Sequence, residues 1–239
     1  MYCRWKGISL KINSRKHIWA FIGGAIALGI HWTSYFYALH LAGVAIGMLS
    51  LFTYPVMTSL LEPLWLKTRL RMADVFLAVI IMFGIFLLVP EFSLDNDYTI
   101  GALLGLGSAL LYSIRNIMLK KYIRIYPGTQ MMFYQLLFNS LWLWPALILF
   151  DHSGLIPNIA PLIALGVITT AIGHTIFVNS LKHFTVSAAS IISSFQPVLG
   201  IAIAALFLDE IPTWKTVVGG LLILLTVLLE NVKTYKNVD

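Results

Sequence analysis

The sequence predicts an all-α, polytopic membrane protein with about eight transmembrane helices. Of its 239 residues 59% are apolar and only 11% are charged, whereas a soluble domain carries about 25% charged residues. Eight apolar runs also approach the roughly 20 helical residues that cross a bilayer. These observations exclude an ordinary soluble globule and a disordered chain. Despite the net charge of +6, no nucleic-acid partner is expected, because apolar runs separate the positive residues.

The apolar runs define eight predicted spans, labelled A to H. They cover residues 18–39, 44–66, 73–89, 99–119, 131–150, 159–180, 186–208 and 214–229. Spans C and H are short, but flanking side chains can reach the interface. The short connections leave no room for a soluble catalytic domain. Residues 1–17 form a basic tail that lacks the apolar core of a signal peptide, and residues 233–239 form a second tail.

Lys and Arg residues concentrate on one face of the predicted bundle. If the chain alternates strictly, 14 of the 16 lie in the two tails and in the B–C, D–E and F–G loops. Lys215 is the only basic residue in the opposite loops, which carry six acidic residues. Because positive loops remain in the cytoplasm, we expect both termini to be cytoplasmic and the protein to lie in the plasma (inner) membrane.

Spans A to C match spans F to H. A shift of 142 residues overlays residues 32–88 on 174–230 without a gap, and ten of the 57 pairs are identical, Pro55/Pro197 among them. Apolar sequences share residues by chance, so the repeated order of span, turn, polar–proline step, loop and span is the better evidence. Five spans separate the partners, so the copies must be inverted. Inverted repeats are typical of secondary transporters; a duplication kept only for packing is the alternative.

Most spans carry a polar stripe, the pattern of helices around a wet cavity. Hydrogen bonding between helices is the alternative explanation. Pro55 and Pro197 free carbonyls four residues earlier, so each is either a hinge for gating or a static kink. The predicted cavity residues are His31, Tyr35, Tyr54, Thr58, Glu62, Tyr112, Arg115, Asn116, Gln135, Asn139, His174 and Gln196.

Glu62 and Arg115 are the charged residues that lie well inside the spans. Arg115 can extend to the headgroups, and Glu62 can act as an anchor there. Alternatively the two form a pair, or contact a substrate charge, at the inner mouth of the cavity. His31 and His174 lie deeper, where each either carries protons or only bonds a neighbouring helix.

Two segments carry a resemblance to a known family. The segments YFYALHLAGVAIGMLSLFTYPVMTSLLEPLWL and NSLKHFTVSAASIISSFQPVLGIAIAALFLDEIPTWKTVVGGLLILLTVLL resemble the matching halves of EamA-type proteins in the drug/metabolite transporter superfamily. LDEIPTWKTVVGG is similar to the family's acidic–proline turn. The resemblance covers roughly residues 18–232. It implies ten helices, of which this chain matches the third to the tenth: a partial first repeat at 18–90 and a second at 98–232.

The resemblance implies a carrier, often an exporter, that moves a small organic metabolite by alternating access. An amino acid-like or drug-like solute is expected. One alternative is a truncated, non-transporting protein or assembly partner; an intramembrane enzyme is less favoured because HExxH and GxSxG are absent. No enzyme activity, cofactor or metal is expected. The partners expected are the solute, the lipid bilayer, and a second copy or another chain that supplies the missing helices.

Repeat symmetry also leads to one expectation about the surface of span A. Without the first two helices of the family, an open apolar groove should run between span A and the second half of the chain, and this chain alone should transport poorly or be unstable. We expect Phe21, Leu28 and Tyr35 to line it.

Overall fold

The computed structural model describes residues 7–66, 70, 72–89, 93–149, 151, 153–183, 193 and 195–236. Within these ranges the chain is helical and contains no strand. The α-helices are α1 Arg15–Leu51, α2 Tyr54–Leu66, α3 Met72–Leu88, α4 Asp97–Tyr122, α5 Gly128–Leu143, α6 Ala146–Leu149, α7 Ile159–Ala164, α8 Thr175–Ser180, α9 Phe195–Phe207 and α10 Trp214–Lys236, and a π-helix, Leu165–His174, joins α7 to α8.

The helices confirm the predicted all-α membrane architecture. Four helical stretches in the described ranges are long and apolar enough to cross a membrane: Arg15–Leu51, Asp97–Tyr122, Gly128–Leu149 and Ile159–Ser180. Three shorter apolar helices accompany them in spans C, G and H. The first part of predicted span G, residues 186–192, lies outside the described residues.

Spans A and B meet at a break within α1. Gly43 has φ 78° and ψ 172°, a conformation that costs glycine little because it has no Cβ. The chain resumes its helix immediately afterwards. The predicted tight turn between A and B is therefore a single residue, and the two spans are otherwise almost continuous.

Proline positions account for two further interruptions. Pro55 is the second residue of α2 and follows a turn at Phe52–Thr53. It has no N–H to bond the Leu51 carbonyl, so a helix cannot continue through it without a break. Pro145 lies in the turn between α5 and α6. Spans B and E are therefore each built from two helical pieces.

The chain divides into two compact units. The first comprises Met1–Gly29 and Met118–Phe184, and the second comprises Ile30–Ile117 and Thr185–Asp239. The boundaries of these units differ from those of the two sequence repeats, because α1 and α4 each contribute residues to both units. They are described separately below.

In the second unit α10 packs along α3 around a buried apolar cluster. The backbones approach closely where Gly219 faces α3: a Cβ at Gly219 would lie 2.6 Å from the Gly84 carbonyl oxygen. Small residues permit such contacts between membrane helices. The apolar side chains at this contact include Leu77, Ile81 and Ile223.

In the first unit the start of α1 packs against aromatic residues of α4 and α5. The Phe21 ring stacks on the Tyr134 ring, with centroids 5.8 Å apart and planes 9° apart. Phe21 and Leu28 have no exposed surface. The expectation of an open groove lined by these two residues is therefore wrong, because the packing of α1 within this unit buries both side chains.

Candidate functional site

Several predicted cavity residues of the second unit form one buried group, which we call the Tyr112 cluster. It consists of His31 on α1, Tyr54 on α2, and Ser108, Tyr112, Arg115 and Asn116 on α4. All six are buried, and Arg115 and Asn116 have no exposed surface. Residues 108, 112, 115 and 116 fall on one side of α4, because residues three or four apart are neighbours on a helix.

Two aromatic rings contact the ring of Tyr112. The His31 ring stacks on Tyr112 with centroids 4.7 Å apart and planes 24° apart. The Tyr54 ring meets Tyr112 edge-on, with centroids 4.9 Å apart and an interplanar angle of 84°. Tyr35, which is half-buried, stacks on His31 at 6.3 Å. Helices α1, α2 and α4 are therefore joined through one set of rings.

Hydrogen bonds pair the polar atoms of His31 with those of Ser108. The Ser108 hydroxyl donates to the His31 carbonyl oxygen at 3.1 Å, and His31 Nδ1 lies 2.7 Å from Ser108 Oγ. His31 Nδ1 also lies 3.2 Å from the Ser108 carbonyl oxygen. His31 on α1 thus bonds the neighbouring helix α4.

Arg115 makes its contacts within the cluster. Its Nη1 donates to Asn116 Oδ1 at 2.9 Å, and its guanidinium carbon lies 5.8 Å from the centre of the Tyr112 ring. That distance permits a cation–π interaction. Because Arg115 has no exposed surface, the cluster contains a buried cation.

The cluster lies at the break that precedes α2. Ser113 Oγ lies 2.9 Å from the Tyr54 carbonyl oxygen, and the Thr58 hydroxyl donates to the same oxygen at 2.8 Å. Tyr54 is the residue before Pro55. Side chains of α2 and α4 thus meet at the carbonyl next to the interruption.

Three candidates lie in the first unit. Gln135 and Asn139 on α5 are buried, and His174 at the end of the π-helix is half-buried. A Cβ at Gly24 would lie 2.8 Å from Gln135 Nε2, and one at Gly29 would lie 2.6 Å from Asn139 Oδ1. The glycines of α1 therefore admit polar side chains of α5, which fits helix–helix contact.

The remaining candidates have different surroundings. Glu62 is half-buried near the end of α2. Gln196 is exposed whereas Pro197 beside it is buried, because adjacent helix residues point about 100° apart and Pro197 occupies the inward position. An apolar recess of about 320 Å³ between α2 and α4, lined by Met57, Leu60, Leu61, Leu106, Gly107 and Leu110, contains none of the predicted residues.

Two contacts were not predicted from the sequence. The first is the contact between the Ser113 hydroxyl and the Tyr54 carbonyl oxygen. The position of Ser113 next to Tyr112 in the sequence could have indicated it. The second joins Glu210 to the break in α1: Glu210 Oε2 accepts the Val44 N–H at 2.7 Å, and a Cβ at Gly43 would lie 2.9 Å from the same oxygen. Glu210 belongs to the acidic–proline turn, which was noted only as a resemblance.

The described residues contain no group of three or more His, Cys, Asp and Glu side chains that could hold a metal ion. What the Tyr112 cluster offers is aromatic surface, hydroxyl and amide groups, and one buried cation. Such a set can bind a small polar organic molecule.

Comparisons with known proteins agree with this architecture. A solved crystal structure superposes on the whole chain, and on 83% of its own, with a TM-score of 0.69 at 20% identity. An uncharacterized transporter from Archaeoglobus fulgidus is 26% identical over 196 residues, which cover 82% of this chain and 70% of that protein. One from Synechocystis sp. is 25% identical over 199 residues, and the match spans 57% of its length.

The family comparison covers nearly all of the chain. The EamA-like transporter family matches residues 2–89 and 99–232, and apolar helices of this kind place the chain within a membrane. The sequence resemblance, the helical architecture and this match agree: the chain belongs to the EamA-like transporter family.

Proposed function

We propose that the protein carries a small organic metabolite across the plasma (inner) membrane by alternating access, and that the Tyr112 cluster binds the solute. An amino acid-like or drug-like molecule suits the cluster, and outward transport is the proposed direction. Membership of the EamA-like transporter family supports the general activity. The solute, the direction and the mechanism are our proposal.

The buried Arg115, whose guanidinium lies over the Tyr112 ring, is the observation that carries the proposal. Burying a cation in a membrane protein is costly, and structural packing alone would favour an apolar residue. A solute carboxylate could bond the guanidinium while an apolar part of the solute packed on the rings of Tyr54 and Tyr112. Few charged residues lie within the predicted spans, which favours a zwitterionic or neutral solute over a polyanion.

Alternating access is supported by the interruption beside the cluster. Helices broken at membrane depth are typical of carrier binding sites. Under the 142-residue shift, the start of α3 at Met72 corresponds to Trp214, where α10 starts. We propose that Pro55 and Pro197 act as equivalent hinges of two inverted repeats, with both termini in the cytoplasm.

Gln135, Asn139, His174, Glu62 and Gln196 remain proposed contributors to the solute pathway. A second copy, or another chain that supplies two further helices, is proposed to complete the wall of the cavity. Chemical crosslinking of the protein in its membrane, followed by mass measurement, tests this assembly. A monomer that transports at full rate would contradict it.

The transport proposal is tested with the full chain in liposomes. Counterflow of radiolabelled zwitterionic amino acids and neutral metabolites should exceed that of protein-free liposomes for at least one solute. Arg115→Gln and Tyr112→Ala should abolish that signal, because they remove the cation and the central ring. Gly107→Ala, on the same helix but facing open space, is the control. Equal counterflow with and without protein for every solute, when the chain is reconstituted in the assembly that crosslinking identifies, would overturn the proposal.

A further inference from the structure

We infer that one end of the first unit is a binding surface for anionic phospholipid headgroups. We call it the basic surface. It is formed by six exposed side chains from three parts of the chain: Lys11, Arg15, Lys16, Lys121, Arg124 and Lys182. The inference does not depend on the proposed transport activity.

Hydrogen bonds hold the N-terminal segment against the turn between α4 and α5. The Asn13 N–H donates to the Tyr126 hydroxyl oxygen at 2.9 Å, and that oxygen lies 2.7 Å from His17 Nδ1. Gln130 Nε2 donates to the Lys11 carbonyl oxygen at 3.0 Å. Lys11, Arg15 and Lys16 therefore lie beside the end of α4, which carries Lys121, and beside the following turn, which carries Arg124.

The third part of the surface is the turn after α8. Lys120 Nζ donates to the Leu181 carbonyl oxygen at 2.7 Å. The Gly128 N–H donates to Asn179 Oδ1 at 3.0 Å. These bonds place Lys182 next to the end of α4, so the three segments present their cations at one end of the unit.

The positive charge of this surface is uncompensated within the described residues. None of the six side chains makes an ion pair or a side-chain hydrogen bond there. Asp151 is the one acidic residue in the described part of the first unit. It follows α5 and α6, which rise away from Gly128 by about 1.5 Å per residue over some 22 residues, so it lies at the opposite end.

Exposed apolar side chains place the basic surface at the membrane interface. Trp19, one turn after Arg15, is 71% exposed, and Ile125, next to Arg124, is 51% exposed. Tryptophan is enriched where the hydrocarbon meets the headgroups. A soluble phosphate compound would contact the cations but leave Trp19 and Ile125 in water. A lipid satisfies both, because its phosphodiester meets the cations while its acyl chains cover the apolar groups.

The purified full chain in a neutral detergent tests the inference. Native mass spectrometry counts the molecules of phosphatidylglycerol or phosphatidylcholine that remain bound at equal lipid concentrations. Because each cation near an anionic lipid surface contributes about a fivefold preference, we expect phosphatidylglycerol to be favoured by about tenfold or more. The preference should fall as salt is added, since salt screens exposed charges.

Three variants distinguish this surface from charge in general. Lys121→Gln with Arg124→Gln and Lys182→Gln should remove most of the preference. Lys121→Arg with Arg124→Lys and Lys182→Arg preserves the charge and should keep it. Lys215→Gln, outside the basic surface, should also keep it. Equal melting temperatures in phosphatidylcholine confirm that each variant folds.

The inference is overturned if the native chain binds both lipids equally, or if the glutamine variant keeps the preference. It is equally overturned if Lys215→Gln loses as much preference as the triple variant, because net charge would then explain the result. Glycerol phosphate is added as a competitor at the same concentration as the lipid. Full displacement of phosphatidylglycerol by this soluble compound would also overturn it.

Discussion

Two glycines on α4 have opposite surroundings, although they are six residues apart. A Cβ at Gly101 would overlap the Ala42 Cβ and lie 3.1 Å from the Ala38 carbonyl oxygen, whereas a Cβ at Gly107 would meet nothing within 4 Å. We predict that Gly101→Ala destabilises the protein by about 1–3 kcal/mol, because backbone would have to move. Gly107→Ala should be neutral or stabilise by up to about 1 kcal/mol, because alanine is the better helix former.

Unfolding of both glycine variants in the same detergent, followed by circular dichroism, measures the difference. Both variants replace a glycine by alanine on the same helix, α4. Equal stabilities would show that α1 and α4 do not pack as described.

Ser108 tests the polar contacts of the Tyr112 cluster. Ser108→Ala removes the hydroxyl that lies 2.7 Å from His31 Nδ1. Loss of a buried hydrogen-bond partner costs about 1–3 kcal/mol, so the midpoint of unfolding should fall. Ser153→Ala, in an exposed turn, is the control and should change stability by less than about 0.5 kcal/mol. Similar effects for both serines would contradict the buried pairing.

At the scale of elements, Glu210 joins the turn before α10 to the break in α1. Its carboxylate accepts the Val44 N–H, which begins a helical segment after Gly43. Glu210→Ala should destabilise the protein by about 1.5–3 kcal/mol, the range for a hydrogen bond to a charged group, and should speed proteolysis at this break.

Asp209→Asn is the matched control for the Glu210 variant. Asp209 has φ 55°, a conformation that asparagine also tolerates. This neighbouring loss of charge should leave stability nearly unchanged. If Asp209→Asn destabilised as much as Glu210→Ala, the general charge of the turn would matter more than the bond to Val44.

Pro55 tests the interruption before α2. Pro55→Ala restores the N–H that can bond the Leu51 carbonyl, so helix can extend through Phe52 and Thr53 with a gain of up to about 3 kcal/mol. We expect an unchanged or higher melting temperature together with slower transport in liposomes. Pro145→Ala, at the break between α5 and α6, should leave the transport rate unchanged. Unaltered transport by Pro55→Ala would contradict its role as a hinge.

At the scale of the whole molecule, topology is the prediction that depends on charge alone. Reporters fused at Asp239 and in the loop at residues 95–98 should report opposite compartments, with Asp239 cytoplasmic. The reason is that 14 of the 16 basic residues lie on one predicted face, and basic loops are retained in the cytoplasm. Detection of both reporters in the same compartment would contradict the predicted number of crossings.

The periodicity of the sequence did not indicate how the helices are interrupted or extended. Span A was predicted from residue 18, but α1 begins at Arg15 and continues to Leu51 through Gly43. A turn that one glycine can make leaves no polar loop to mark it. The π-helix at Leu165–His174 likewise has the composition of an ordinary apolar span.

Part of the candidate site could be predicted from the type of residue alone, because a polar side chain in lipid must find a partner. His31, Tyr112, Arg115 and Asn116 could be selected from the sequence on that ground. Gln196 met the same criterion, yet it is exposed. The difference depends on which face of α9 is covered, and sequence spacing within one helix does not determine that.

The sequence alone determined the all-helical membrane class and the family. The physical reason for the class is that a long apolar run in lipid can form few structures other than a helix. Only the tertiary structure decided which polar residues meet. His31 reaches Ser108 across 77 positions and Val44 reaches Glu210 across 166. Such contacts depend on how close two backbones can come, and small side chains on both helices set that distance rather than either segment by itself.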